Sequence, residues 1–433
     1  MAYSESLKKL FPNTSTIAYY SPFGQHIVLN SIEEDEYYRA MEDRFNPANL
    51  TIFKTIYHEL KHWKDHHTTL WGLNSLVKIY NATNVRLLND PKEFHHIVTY
   101  FRDAKKSALT EYYHTMLTPF DVKKYGLFWK WKLSGGSRFD VNGHIDRNMP
   151  IPFVRFNNPL SDELLSRTPL ANSAFLEANA IAEELRIASL VISKLEEDTL
   201  IVEVKKLEDE YVDWIYNHEL TLYSASTHII SSILGTKDIF KTFDISREIS
   251  NLLLNLPEYL YDKIPINPYN KEFEDRELLK SQKDNGFAFL NLIFNYNDKH
   301  KGFEEFNISD LLNASQLPPK EELKKLIVEE FRGLTQKVID GPFSQKVLKK
   351  IENAIDYFED NGLDGGSSIA IDFYSYEKPP IIFRDTMLDD STYDYEEFKS
   401  AVLYGTELNY TGWFLMHQDI YKELESFYNI CGI

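Results

Sequence analysis

Residues 58–62 read His-Glu-Leu-Lys-His, and no other stretch restricts this chain so sharply. A helix turns about 100° per residue, so a spacing of four brings His62 to about 40° from His58, one turn along. Glu59 falls within about 100° of both. Two neutral imidazoles on one side of a helix, with a carboxylate beside them, are what a hydrolytic zinc ion needs: nitrogen ligands, and a base within reach of a water on the same metal. Thiolate ligation is excluded, because Cys431 is the chain's single cysteine. For the same reason an intrachain disulfide is impossible, which fits a reducing compartment. Any metal must rest on histidines and carboxylates.

On a helical wheel, Phe53, Ile56, Leu60, Trp63 and Leu70 share an apolar sector with His67 and are expected to face the core. Lys54, Lys61, Lys64 and Asp65 share a second sector, expected to face solvent. The third carries Thr55, His58, Glu59, His62, His66 and Thr69. A plain core face would carry leucine and isoleucine, and a solvated face lysine and glutamate; imidazoles and hydroxyls suit a metal cleft. The bland alternative is an ordinary helix whose histidines are solvated or locally hydrogen-bonded. His66 would sit about two turns from His58, poor geometry for one ion, so a third ligand should come from another helix.

The stretch from Phe175 to Glu184 supplies a candidate. Glu177 and Glu184 fall within about 20° of each other on the wheel, amid Ala174, Ala180, Ile181, Ala188 and Val191. Carboxylates on an apolar face are costly to bury unless paired or metal-bound. Glu177 is therefore the expected ligand and Glu184 the carboxylate that orients a ligand histidine. Glu183 shares its side with Asn179 and Arg186 and is expected to be solvated. The alternative is that both acids meet lysine or arginine from elsewhere. Tyr216, Tyr223 and His228 follow as candidate donors to an oxyanion.

His58-Glu59-Leu60-Lys61-His62 with a distant glutamate on a later helix resembles the gluzincin type of zinc metallopeptidase. More narrowly, residues 58–72 (HELKHWKDHHTTLWG) are similar to the HExxHxxQ…T–G helix of poorly characterised bacterial proteins. Those proteins pair it with a later E-small-x-A…E helix, the pattern of Glu177-Ala178-Asn179-Ala180 and Glu184. Asp65 stands where the first pattern has glutamine. The resemblance covers two short stretches. It implies a zincin-like catalytic core, Zn2+ held by His58, His62 and Glu177, Glu59 as general base, and a peptide or protein substrate.

Around these motifs the chain is expected to be mainly α (α+β), with a zincin-like domain over residues 1–240 and a helical C-terminal region over 241–433. Residues 15–20 and 25–31 alternate about a Ser21-Pro22-Phe23-Gly24 turn as a hairpin. Residues 46–81 read as helical with a break at Gly72, and 92–113 as helical. Residues 135–157 look extended about Asn142-Gly143, a hairpin that could offer an edge strand to an extended peptide. Long helices are expected at 172–195 and 207–234, then at 246–259, 276–294, 319–334 and 345–358. The glycines from 362 to 366 lack the lysine of a phosphate loop and read as a flexible turn.

A net charge of −19 argues against nucleic-acid backbones and anionic membranes as partners. No apolar run reaches bilayer length, and residues 1–6 lack the blocks of a secretory signal, so a cytoplasmic location is expected. Two rivals stand beside the peptidase. A helical di-iron carboxylate protein would use the pairs Glu59/His62, Glu93/His96 and Glu111/His114 with Glu177 bridging, but leaves His58 without a role. A non-catalytic zincin-like interaction protein would keep the motif as framework only.

Overall fold

The computed structural model describes residues 17–43, 46–88, 92, 95–100, 103, 114–116, 126–139, 144–300, 306–363, 370–386, 399 and 410–431. Most of the expected 92–113 helix, the Asn142-Gly143 turn, Glu93, Glu111 and most of the 362–368 stretch lie outside those residues. The chain is mainly helical with two small sheets, the expected α+β class. It divides into two compact units, one of Met1–Lys106, Val328–Asp360 and Ala370–Ile433, the other of Ser107–Ile327 and Asn361–Ile369. Residue 240 lies inside the second.

In the first unit, β1 (Tyr19–Ser21) and β2 (His26–Leu29) form the expected antiparallel hairpin, and β2 pairs in parallel with the strand Ile381–Phe383. The turn closes by the Gln25 amide donating to Ser21 O at 2.7 Å. After α1 (Glu34–Glu42) come α2 (Leu50–Thr68) and α3 (Leu70–Leu87). The break expected at Gly72 is at Thr69, whose backbone is extended (φ −110, ψ 154). Its hydroxyl donates to Asp65 O at 2.7 Å and accepts from the Gly72 amide at 3.1 Å, ending one helix and capping the next. Gly72 is needed for a different reason: a Cβ there would lie 2.5 Å from Asp65 O and from His66 Cα and O. Later chain is stitched onto α3 by two asparagines. Asn81 accepts from the Ile339 amide at 2.9 Å and donates to Lys337 O at 2.8 Å. Asn84 accepts from the Phe343 amide at 2.7 Å and donates to Ile339 O at 3.1 Å.

The apolar sector of α2 is buried as expected: Phe53, Ile56, Leu60, Trp63 and His67 have almost no exposure. Of the sector expected to face solvent, only Lys54 keeps partial exposure. Lys61, Lys64 and Asp65 are all buried. Lys61 pairs with Asp65, and the Lys64 ammonium lies 5.1 Å from the centre of the Tyr357 ring. Tyr357 belongs to the helix Ser344–Asn361, and the segment Ala370–Ser375 also packs on α2. Chain from some three hundred residues downstream thus covers a face that α2 alone would leave wet.

In the second unit, β3 (Thr115–Met116), β4 (Lys130–Phe139), β5 (Ile145–Asn157) and β6 (Leu164–Pro169) make an antiparallel sheet in the order β3-β6-β5-β4. The β4–β5 pairing bears out the extended reading for residues 135–139 and 145–157; β6 lies outside that reading. From β6 the chain enters α4 (Asn172–Ile192), which packs on α6 (Thr221–Leu234) and α7 (Ile239–Asn255). The single helix expected over 207–234 is two, α5 (Glu197–Ile215) and α6. Asn217 interrupts it by accepting from the Glu219 amide at 3.0 Å and starting a separate 3-10 turn. The helix expected over 276–294 is likewise split, into Arg276–Ser281 and Asn285–His300, with Lys283 at φ 56 between them.

Candidate metal centre

From Ile56 to Thr69 every residue is buried except two, His58 and His62. The helix is enclosed along this length, and its only half-open positions are the imidazoles of the motif. Their Nε2 atoms lie 3.2 Å apart, with ring planes at 78°. Two nitrogens each about 2.05 Å from a tetrahedral zinc ion stand about 3.3 Å apart, so the rings already hold that spacing. Glu59, next along the chain, is buried.

The local sequence explains this exposure pattern. Apolar Phe53, Ile56, Leu60 and Trp63 and the cation-bearing Lys61 and Lys64 are each matched by cover or a counter-charge. His66, the other imidazole of the polar sector, is drawn into aromatic packing instead. Its ring centre is 4.7 Å from that of Trp71 and 5.2 Å from that of Tyr20. Burial, then the neighbouring His67 and His62, push its pKa well below the usual value, so it is a neutral packed ring.

On α4, Glu177 is 3% exposed, and Ala174, Ala178, Ala180, Ile181 and Ala182 around it are buried. One ligand atom each from His58, His62 and Glu177 lie within 4.8 Å of one another. Among the described residues this is the one group of three or more histidine, cysteine or acidic side chains so gathered. The donor set, two imidazoles and a carboxylate, suits zinc with a further position left for solvent or substrate.

The remaining expected residues are placed as follows. Glu184 is half-buried and accepts a hydrogen bond from the Tyr211 hydroxyl at 2.8 Å. Tyr211, on α5, carried no signal in the sequence. Glu183 was expected in solvent and is 1% exposed, with its carboxylate 3.6 Å from the Arg186 guanidinium. The wheel missed this because α4 is packed on nearly every side. Tyr216, Trp129 and His228 form an aromatic cluster, with Tyr216 and His228 ring centres 5.2 Å apart. His228 Nε2 is 3.4 Å from the Trp129 indole N–H and 3.3 Å from Ile215 O. Tyr223 is buried against Trp214 at 5.1 Å. These are the contacts the three candidate donors make within their own unit.

No protein-family model, no curated protein and no solved structure matches this chain. No helix among the described residues is long and apolar enough to cross a membrane.

Proposed function

We propose that this chain is a zinc-dependent peptidase in which His58, His62 and Glu177 hold the metal and Glu59 moves the proton. The observation that carries the proposal is the gathering of those donors within 4.8 Å, on residues expected as ligands from the HExxH spacing and from a carboxylate on an apolar helix face. A zinc ion bound there would supply a Lewis acid and a water acidified toward neutrality. The chain's own part is then positional and protic. The imidazole pair, fixed on an enclosed helix, offers its nitrogens from the only half-open positions between Ile56 and Thr69. Glu59 takes a proton from the attacking water and returns it to the leaving amine, so the peptide bond breaks with no net proton change. Peptides or proteins are the substrates proposed, and the cytoplasm the location that Cys431 and the absence of disulfides fit.

Three variants test this together. The purified chain should carry about one zinc per molecule, measured by mass spectrometry of the metal, and should cleave a fluorogenic peptide mixture. His58→Ala should lose both metal and cleavage. Glu59→Gln should keep the metal while its rate falls by about 10²–10⁴-fold. Glu177→Gln should weaken zinc retention. A chain without stoichiometric divalent metal would sink the proposal. A metal-loaded chain whose function is indifferent to Glu59→Gln would leave a non-catalytic protein.

A further inference from the structure

We infer that Arg155 and Arg167, side by side on the sheet of the second unit, form a binding site for an oxyanion group, a carboxylate or a phosphate. The register pairs them directly: Arg155 on β5 faces Arg167 on β6, and Lys132 on β4 faces Arg155 from the other side. Cross-strand partners project from the same face, about 5 Å apart, and like charges so placed repel. Lys132 is neutralised by Asp162, with its ammonium 2.6 Å and 2.9 Å from the two carboxylate oxygens. Asp162 also feels the charge of Arg155, yet makes its hydrogen bonds to Lys132. Neither arginine has a carboxylate within ion-pair distance among the described residues. Among the described residues the two adjacent guanidiniums thus have no ion-pair partner, while Lys132 beside them has Asp162.

The pair is also held in place. The Arg167 guanidinium lies over the Phe153 ring, its carbon 4.7 Å from the ring centre, a cation–π contact that restrains it. Phe153 sits on the same face of β5, and its ring occupies space that only Gly136 leaves open: a Cβ there would be 2.6 Å from the ring. Phe153 and Ile151 are themselves buried with Ala171. Both Nε atoms, of Arg155 and Arg167, are buried without a hydrogen-bond partner among the described residues. Both side chains remain half-exposed, so their outer nitrogens can meet a ligand. Two adjacent guanidinium forks, one lying over an aromatic ring and both without an acceptor among the described residues, suit the way arginine grips carboxylate or phosphate oxygens. A bound oxyanion would supply the missing acceptors and relieve the repulsion across the β5–β6 pair.

The full-length chain can be titrated calorimetrically with inorganic phosphate and with succinate, each against sodium chloride of matched ionic strength. Saturable binding of either anion is expected, weakened about tenfold in Arg155→Gln and in Arg167→Gln. The lysine variants R155K and R167K keep the charge but lose the fork, and should weaken it less than the glutamines yet measurably. Preference for phosphate would point to a phosphorylated ligand, preference for succinate to an acidic peptide or metabolite. As a readout independent of calorimetry, the anion should raise the thermal midpoint of the parent chain and leave that of R167Q unmoved. Binding by neither anion, or equal binding by parent and glutamine variants, overturns the inference. It stands apart from the metal proposal, since all of these measurements hold for metal-free protein.

Discussion

Lys61 and Asp65 occupy the positions that a helical wheel assigns to solvent, and their burial changes what they contribute. Each charge taken from water costs several kcal/mol, and the contact between them offsets that cost only while both are present. Both side chains are nearly inaccessible, 3% and 2% exposed. Removing one takes from the other the opposite charge it pairs with in a buried setting. Asp65→Ala is therefore expected to destabilise the chain by about 3–5 kcal/mol in urea unfolding, whereas the double change K61M with D65L recovers most of the loss. If Asp65→Ala cost no more than an exposed substitution, under about 0.5 kcal/mol, the pair would be ornamental. The same contrast separates His58 and His62 from His66. Spacing marks all three as one polar stripe, yet two stay half-open and the third is consumed by packing on Tyr20 and Trp71. The spacing could be read from the chain; which rings would be covered could not.

At the scale of elements, what was legible was whatever one helix or hairpin decides by itself. The β1–β2 hairpin, the extended residues 135–139 and 145–157, and the helices around His58 and Glu177 follow from alternation, periodicity and turn residues. What was not legible depends on contacts from far along the chain or on a cap inside an apolar run. Asn217 splits a continuous amphipathic pattern because its side chain competes for the backbone amide of Glu219. Thr69 does the same between α2 and α3, three residues before the glycine at which composition places the break. Gly72 lets α3 start against the last turn of α2, where a Cβ would meet backbone atoms at 2.5 Å. Backbone cannot swing aside as a side-chain tip can. Gly72→Ala should therefore cost about 1–3 kcal/mol, despite alanine's better helix propensity. Because the displaced residues include His66 and the end of the motif helix, the proposed metal site predicts that zinc retention falls as well. A variant as stable as the parent, with unchanged metal content, would show that this close approach does not constrain the junction. Glu177 and Glu183 show the remaining limit: their mutual placement on α4 was readable, but not that nearly all of α4 is enclosed.

Across the whole molecule, the buried histidines set how the protein answers acid. His26, His67, His114 and His228 are each pushed down to about 4, and His417 to about 3, with burial the leading cause in every case. An unfolded histidine titrates near 6.5. Between that value and about 4 the unfolded chain binds protons that the folded chain refuses, so stability must rise with pH across the window and fall as pH drops through it. Each such histidine contributes a slope of up to about 1.4 kcal/mol per pH unit, which levels off below the folded value. Glu377 extends the loss. Burial alone would raise its carboxyl, but Lys350 and His67, each hydrogen-bonded to it, outweigh that and hold it below the ordinary range. Its contribution is present above about pH 4.3 and disappears as pH falls further. Urea unfolding at closely spaced pH values should thus show stability declining steeply from pH 6.5 toward 4.5, before carboxylates begin to titrate in bulk. His228→Asn, which removes one such ring while leaving a donor for Ile215 O, should flatten the slope by about 1.4 kcal/mol per pH unit. A stability profile that is level across that interval would mean the rings are reached by water and titrate as they do in the unfolded chain. The effect should persist at high salt, because desolvation is not screened, unlike the mutual repulsion expected of a chain with a net charge of −19.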